Sequence, residues 1–136
     1  MARFVQPKDI VNGFEDALNA KDAESLGELF TQDAEFVNIV GQRMHGREGI
    51  IQGHAKAFMG PLKELTFDFD AVDEVRVTAE VMVLHVHGLR ARLPSARADP
   101  TTLDPTMLEL VIRCGPDGWR AIAGTNVVQA SPSVGG

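Results

Sequence analysis

Apolar residues recur along the first sixty positions with two different periods. Between Pro7 and Ala20, Ile10, Val11, Phe14, Ala17 and Leu18 form one stripe at helical spacing, and Pro7 suits a first helical position. Lys21-Asp22 interrupts the stripe, and Asp22 is placed to cap a second short helix through Phe30, with Leu26, Leu29 and Phe30 as its buried side. A strand from Ala34 to Val40 follows and ends at Gly41. Alternation puts Ala34, Phe36, Asn38 and Val40 on one face, with Glu35, Val37 and Ile39 on the other. Gly46 to Met59 reads as a third helix, stopped by Gly60-Pro61. Ile50, His54, Ala57 and Phe58 share one side of it, so His54 sits inside an apolar stripe. Gly46, Gly49 and Gly53 lower the propensity of this segment, which leaves tertiary packing to hold it.

After Pro61 the period changes to two. "LTFDFDAVDEV" alternates, "VTAEVMVLHVHGLR" follows, and "TMLELVIRC" meets "GWRAIAGTNVV" across Gly115-Pro116-Asp117-Gly118 as a hairpin. The stretch from Ala91 to Pro105 is long for a hairpin loop and reads as a flap; "ASPSVGG" at the end reads as a frayed tail. Helices followed by antiparallel strands mean an α+β fold, one domain over 1–128 with a flexible tail at 129–136. Both faces of Val81 to Val86 are apolar, which requires cover on both sides of the sheet. Three helices cover one face, so the outer face is expected to meet a second copy in a homodimer.

Bulk properties narrow the function classes. With 136 residues, 44% hydrophobic and 24% charged, the chain suits one soluble domain with a real core. A net charge of −6 disfavours nucleic acid and anionic membranes, and no stretch approaches membrane-spanning length. Cys114 is the single cysteine, so no intrachain disulfide forms. No signal-like N-terminus is present, and the expected location is the cytoplasm. No Gly-rich dinucleotide fingerprint follows a strand, and no cofactor is expected.

The order of elements, with "LFTQDAEFVNIVG" leading into "MHGREGI", resembles the NTF2-like (SnoaL-like, cystatin-like) superfamily over roughly Pro7 to Val128. Within it, "ALNAKDAESLGELFTQDAEFVNIVGQRMHGREGI" looks most like the SgcJ/EcaC group, whose members include proteins of enediyne biosynthetic clusters. The resemblance implies a cone: three N-terminal helices packed on a curved, mostly antiparallel sheet, often enclosing an apolar pocket, often dimeric. Ketosteroid isomerases of this superfamily carry a catalytic aspartate where "DAEFVNIVG" has Asn38, and their oxyanion tyrosine has no counterpart in a chain without tyrosine. The isomerase mechanism is therefore not carried over.

Asn38 and His54 remain the leading pair. They either satisfy each other or the backbone, or they form the polar end of an apolar pocket. In the second case Asn38 polarises a ligand carbonyl and His54, neutral in apolar surroundings, acts as acid or base. Phe36, Met44, Phe58, His85, Glu109, Trp119 and Asn126 are the expected ligand-binding positions. His85 and His87 share a strand face at metal-pair spacing, with Glu109 as the one conceivable third ligand; no metal site is assigned. Glu109 is expected to pair with Arg120 or to serve as a pocket base. The function expected is a protein that binds a small apolar molecule: an isomerase, cyclase or accessory factor in polyketide- or enediyne-like metabolism, with a hydrophobic-ligand carrier or structural homodimer as the alternative.

Overall fold

Helix α1 (Pro7–Ala20) begins where Asp9 Oδ2 accepts the Gln6 N–H at 3.0 Å and ends at Lys21 in the left-handed region, φ 57°. In this computed structural model, which describes residues 3–92 and 103–129, α1 buries the whole anticipated stripe from Ile10 to Leu18. Asp22 caps α2 (Ala23–Gly27) by accepting the Ser25 N–H at 3.1 Å. This helix is shorter than expected. Leu26 and Leu29 are buried as foreseen, but Phe30 opens strand β1 (Phe30–Val37) instead of closing the helix. The reason is tertiary: the Ala121 N–H donates to Leu29 O at 2.8 Å, and Phe30 pairs with Ala121.

Strand β1 also ends before Asn38, three residues earlier than the alternation implied. A short strand not foreseen from the pattern, β2 (Arg43–His45), returns antiparallel to β1. Helix α3 (Gly46–Met59) has the expected bounds, and Ile50, His54 and Phe58 are its buried residues. The remaining strands are β3 (Leu65–Arg76), β4 (Val81–Arg92), β5 (Leu103–Gly115) and β6 (Gly118–Val128). Together they give a curved, open, six-stranded sheet in the order β2-β1-β6-β5-β4-β3, antiparallel except between β1 and β6. The flap expected at 91–105 falls mostly on positions 93–102, and the tail expected at 129–136 on positions 130–136; both lie outside the described residues.

The helices cover one face only. Leu84, Val86, Leu108, Leu110 and Ile112 are fully buried beneath them. Side chains of α1 also finish the β3 edge: Asn19 exchanges two hydrogen bonds of 2.8 Å with the Phe67 backbone, and Glu15 accepts the Phe69 N–H at 2.6 Å. On the opposite face Val75, Val83, Val111 and Ala123 lie in one cross-strand row with no helix over them among the described residues.

Candidate functional site

Between the inner sheet face and α1 and α3 lies a cavity of about 630 Å³. Phe14, Leu18, Phe36, Met44, Ala57 and Phe67 supply apolar wall, and His54 and Asn126 supply polar groups. Two glycines open the helix side. Gly49 and Gly53, one turn apart, both border the cavity; a Cβ on Gly53 would lie 2.7 Å from Met44 Sδ, so Met44 packs directly over the bare helix backbone. A Cβ on Gly49 would meet nothing nearer than 3.9 Å.

His54 is 4% exposed and sits between two phenyl rings, 5.3 Å from Phe36 and 5.9 Å from Phe58 by centroid. Its Nδ1 lies 2.9 Å from Ile50 O, one turn back on α3. A carbonyl oxygen only accepts, so Nδ1 donates and the tautomer is set. Burial among rings lowers the His54 pKa, opposed in part by that backbone hydrogen bond, and the ring is held neutral.

Asn38 has a different task from the one its pattern implied. Its Oδ1 accepts the Val40 and Gln42 N–H groups at 3.1 and 2.8 Å, and its Nδ2 donates to Gln42 Oε1 at 3.2 Å. It closes the turn between β1 and β2 and borders the cavity from there, with no bond to His54. The alternation misled because an Asx turn uses the same Asn-x-x-Gly spacing that also ends a strand.

The other expected positions separate. Phe36, Met44 and Asn126 border the cavity, and Phe58 backs His54. Trp119 is buried at the opposite end of β6, beside Phe4. His85 and Glu109 are corrected: they face outward, because Leu84, Val86, Leu108 and Leu110 take the inward positions on either side of them. There His85 Nε2 donates to Glu109 Oε2 at 2.7 Å, and His87 Nε2 to Asp73 Oδ2 at 2.8 Å. Glu109 does not pair with Arg120, which lies opposite Arg113 in the hairpin. Among the described residues no three of His, Cys, Asp and Glu are grouped to hold a metal ion. At the sheet margin Glu35 Oε1 accepts from Arg43 and from His45 Nδ1, which holds its carboxyl below the usual range.

Phe14, Leu18, Gly49, Gly53 and Phe67 were not anticipated as site residues. The available signal was the i, i+4 pair of glycines beside His54, a stretch of helix surface with no side chains to fill the space it faces.

The fold has many counterparts among solved structures. An uncharacterized protein with a cystatin-like fold from Caulobacter vibrioides superposes with a TM-score of 0.80 at 22% identity, over 94% of this chain and 89% of that one. A cystatin-like domain of unknown function from Nostoc punctiforme gives 0.78 at 19%, over 93% and 77%. A ketosteroid isomerase-like protein from Erwinia carotovora atroseptica gives 0.70 at 12%, over 91% and 94%. At these identities the likeness concerns the fold. No curated protein matches the chain. No described helix is long and apolar enough to cross a membrane. Residues 11–129, most of the sequence, match the SnoaL-like domain, and the chain belongs to that family.

Proposed function

We propose that this protein binds an apolar small molecule in the cavity against α3, with His54 as the polar group that orients it. The observation that carries this reading is a cavity of about 630 Å³, within the range of ligand pockets, walled by apolar side chains around one buried neutral imidazole. Among the described residues no aspartate or glutamate borders it. That favours binding, as a carrier or accessory factor, over carboxylate-driven proton transfer. Where a bound compound turns over, His54 Nε2 is the group positioned to take a proton. A polyketide-like ligand, as in the SgcJ/EcaC group, is the chemical class that the resemblance in "DAEFVNIVGQRMHGREGI" supports.

The outer sheet face is assigned to a second copy of the chain. Its centre is the valine row Val75, Val83 and Val111, flanked by the His85–Glu109 and His87–Asp73 pairs. Equal numbers of acids and histidines around an apolar strip are self-complementary across a two-fold axis.

The cavity reading is tested with Gly49→Leu and the fluorescent probe N-phenyl-1-naphthylamine. A Cβ at Gly49 meets only ordinary contact distance, 3.9 Å from the Met44 carbonyl carbon, so a leucine there begins without a clash at a position that borders the cavity, and it removes a helical glycine. Expected are saturable binding of one probe per chain in the wild type and a loss of about tenfold or more in the variant, with no fall in melting temperature. Unchanged probe affinity in Gly49→Leu would locate binding elsewhere.

A further inference from the structure

The residues that border the cavity fall into two sets by depth. Phe14, Leu18, Phe36, Met44, Phe67 and His54 are buried and form the floor. Val40, Gln42, Arg43, His45, Lys56 and Pro61 are exposed and form the mouth. The two sets differ in charge. Burial keeps the His54 ring neutral, so the floor carries no formal charge. The mouth carries two cationic side chains and, among the described residues, no carboxylate, in a chain whose net charge is −6. Those two cations are not equivalent. Arg43 donates to Glu35 Oε1, which also accepts from His45 Nδ1 at 3.1 Å, so a carboxylate beside the mouth already offsets the guanidinium. Lys56 takes part in none of the ion pairs among the described residues. It follows Gly49 and Gly53 at i+7 and i+3 on α3, so its stem leaves the helix on the side of the bare backbone that opens the cavity. At the turn between β1 and β2, Asn38 Oδ1 accepts two backbone N–H groups, so its Nδ2 is the atom that meets Gln42 Oε1, at 3.2 Å. Gln42 Nε2 is left as a donor on the rim.

From this division of charge we infer that the cavity takes an amphipathic monocarboxylate, its apolar body on the floor and its carboxylate at the mouth, received by Lys56 with Gln42 Nε2 as a further donor on the rim. This rests on the cavity being the binding site and names the ligand class it takes. One positive charge without an offsetting acid matches one carboxylate, whereas a phosphate dianion would leave a negative charge over. An ammonium head would meet Lys56 and Arg43 with no acid among the described lining residues to hold it. A carboxylate pushed down among the phenyl rings would lose its hydration with no cation to replace it. The charged end of the ligand therefore belongs at the mouth and the apolar end at His54.

The test compares three ligands with one tail, decanoate, 1-decanol and decylammonium, by displacement of N-phenyl-1-naphthylamine at low salt. A carboxylate head leaves water less readily than a hydroxyl, so the tail and floor alone favour the alcohol, and a preference for decanoate reports the mouth. The wild type is expected to bind decanoate about threefold or more tightly than decanol, with decylammonium weakest. Raising the ionic strength from about 0.02 M to about 0.3 M should shrink that preference. Lys56→Gln should remove most of it. Lys8→Gln makes the same change of net charge at an exposed residue that does not border the cavity, and should keep it. The ratio of two affinities within one variant cancels any loss common to both ligands, and melting temperatures report the fold. Decanol binding as tightly as decanoate overturns this inference and leaves the cavity reading standing. A preference that survives Lys56→Gln or added salt, or that falls equally in Lys8→Gln, overturns it as well. Failure of all three to displace the probe also overturns it, while the Gly49→Leu comparison decides the cavity reading by itself.

Discussion

At the scale of the residue, His54 shows how one position answers to packing and chemistry together. Its place at i+4 from Ile50 and i−4 from Phe58 puts it in the core, and a core histidine must spend its donor somewhere. It does so on its own helix, at Ile50 O. The energetic consequence is a pH dependence. Burial sets the folded-state value below the ordinary 6.5. Between the two values the unfolded chain binds the extra proton, so stability rises with pH through that window and is lost as pH falls below 6.5. The contribution is at most about 1.4 kcal/mol per pH unit for one proton. Urea unfolding from pH 8 downward should trace this loss in the wild type, and His54→Leu should flatten it above the range where carboxylates titrate. A variant with the wild-type slope would remove His54 as its source. Asn38 teaches the converse: a polar residue in an apolar run need not point at a ligand, because the local backbone has its own demands.

At the scale of the element, glycines decide where chain segments approach each other. Gly118 sits at φ 96° after the Pro116-Asp117 turn, and a Cβ there would lie 2.4 Å from Phe4 O. That carbonyl accepts the Trp119 N–H at 2.8 Å, tying the N-terminal segment to β6. Gly118→Ala should therefore cost about 1–3 kcal/mol, through both the strained backbone and the displaced bridge. Gly115, across the same hairpin, has open space around its Cβ position and no positive φ. Alanine there should change stability by no more than about 0.5 kcal/mol. Chemical denaturation of the two variants side by side checks the account, which fails if they lose equally. Of the elements themselves, α1 and α3 were legible to the residue: α1 carries a strong apolar stripe between Pro7 and Lys21, while α3 carries a weaker one, with Ile50, His54 and Phe58 buried, and is marked chiefly by its stops at Gly46 and Gly60. The Leu26–Phe30 stretch was not, since its apolar spacing suits a helix turn as well as a strand start and β6 decides between them.

At the scale of the whole molecule, the described helices cover one face of the sheet, and the other carries a valine row beside the His85–Glu109 and His87–Asp73 pairs. Val83 and Val111 lie side by side on the other, with Val75 next to Val83 and 50% exposed. A charge at the centre of this row should break the proposed dimer. Sedimentation of Val83→Glu is expected to give a monomer where the wild type gives a dimer, while Val77→Glu, on the exposed turn before β4, leaves the assembly intact. A monomeric wild type would remove the assignment.

The period of the apolar residues determined α1 and α3, the long strands from β3 onward, the β5–β6 hairpin and the burial of His54, because each depends on neighbours a few positions away. The resemblance in "DAEFVNIVG" and "MHGREGI" carried the family. What only the tertiary structure decided is which polar groups meet. The inward turn of Leu84 and Leu110 sent His85 and Glu109 to the outside, the Asn38 turn closed on itself, and Asn126 arrived beside a cavity whose other walls come from α1, β1 and α3. Those outcomes depend on strand register and on the sheet face each residue takes, and register is settled by pairing partners tens of residues apart in the chain.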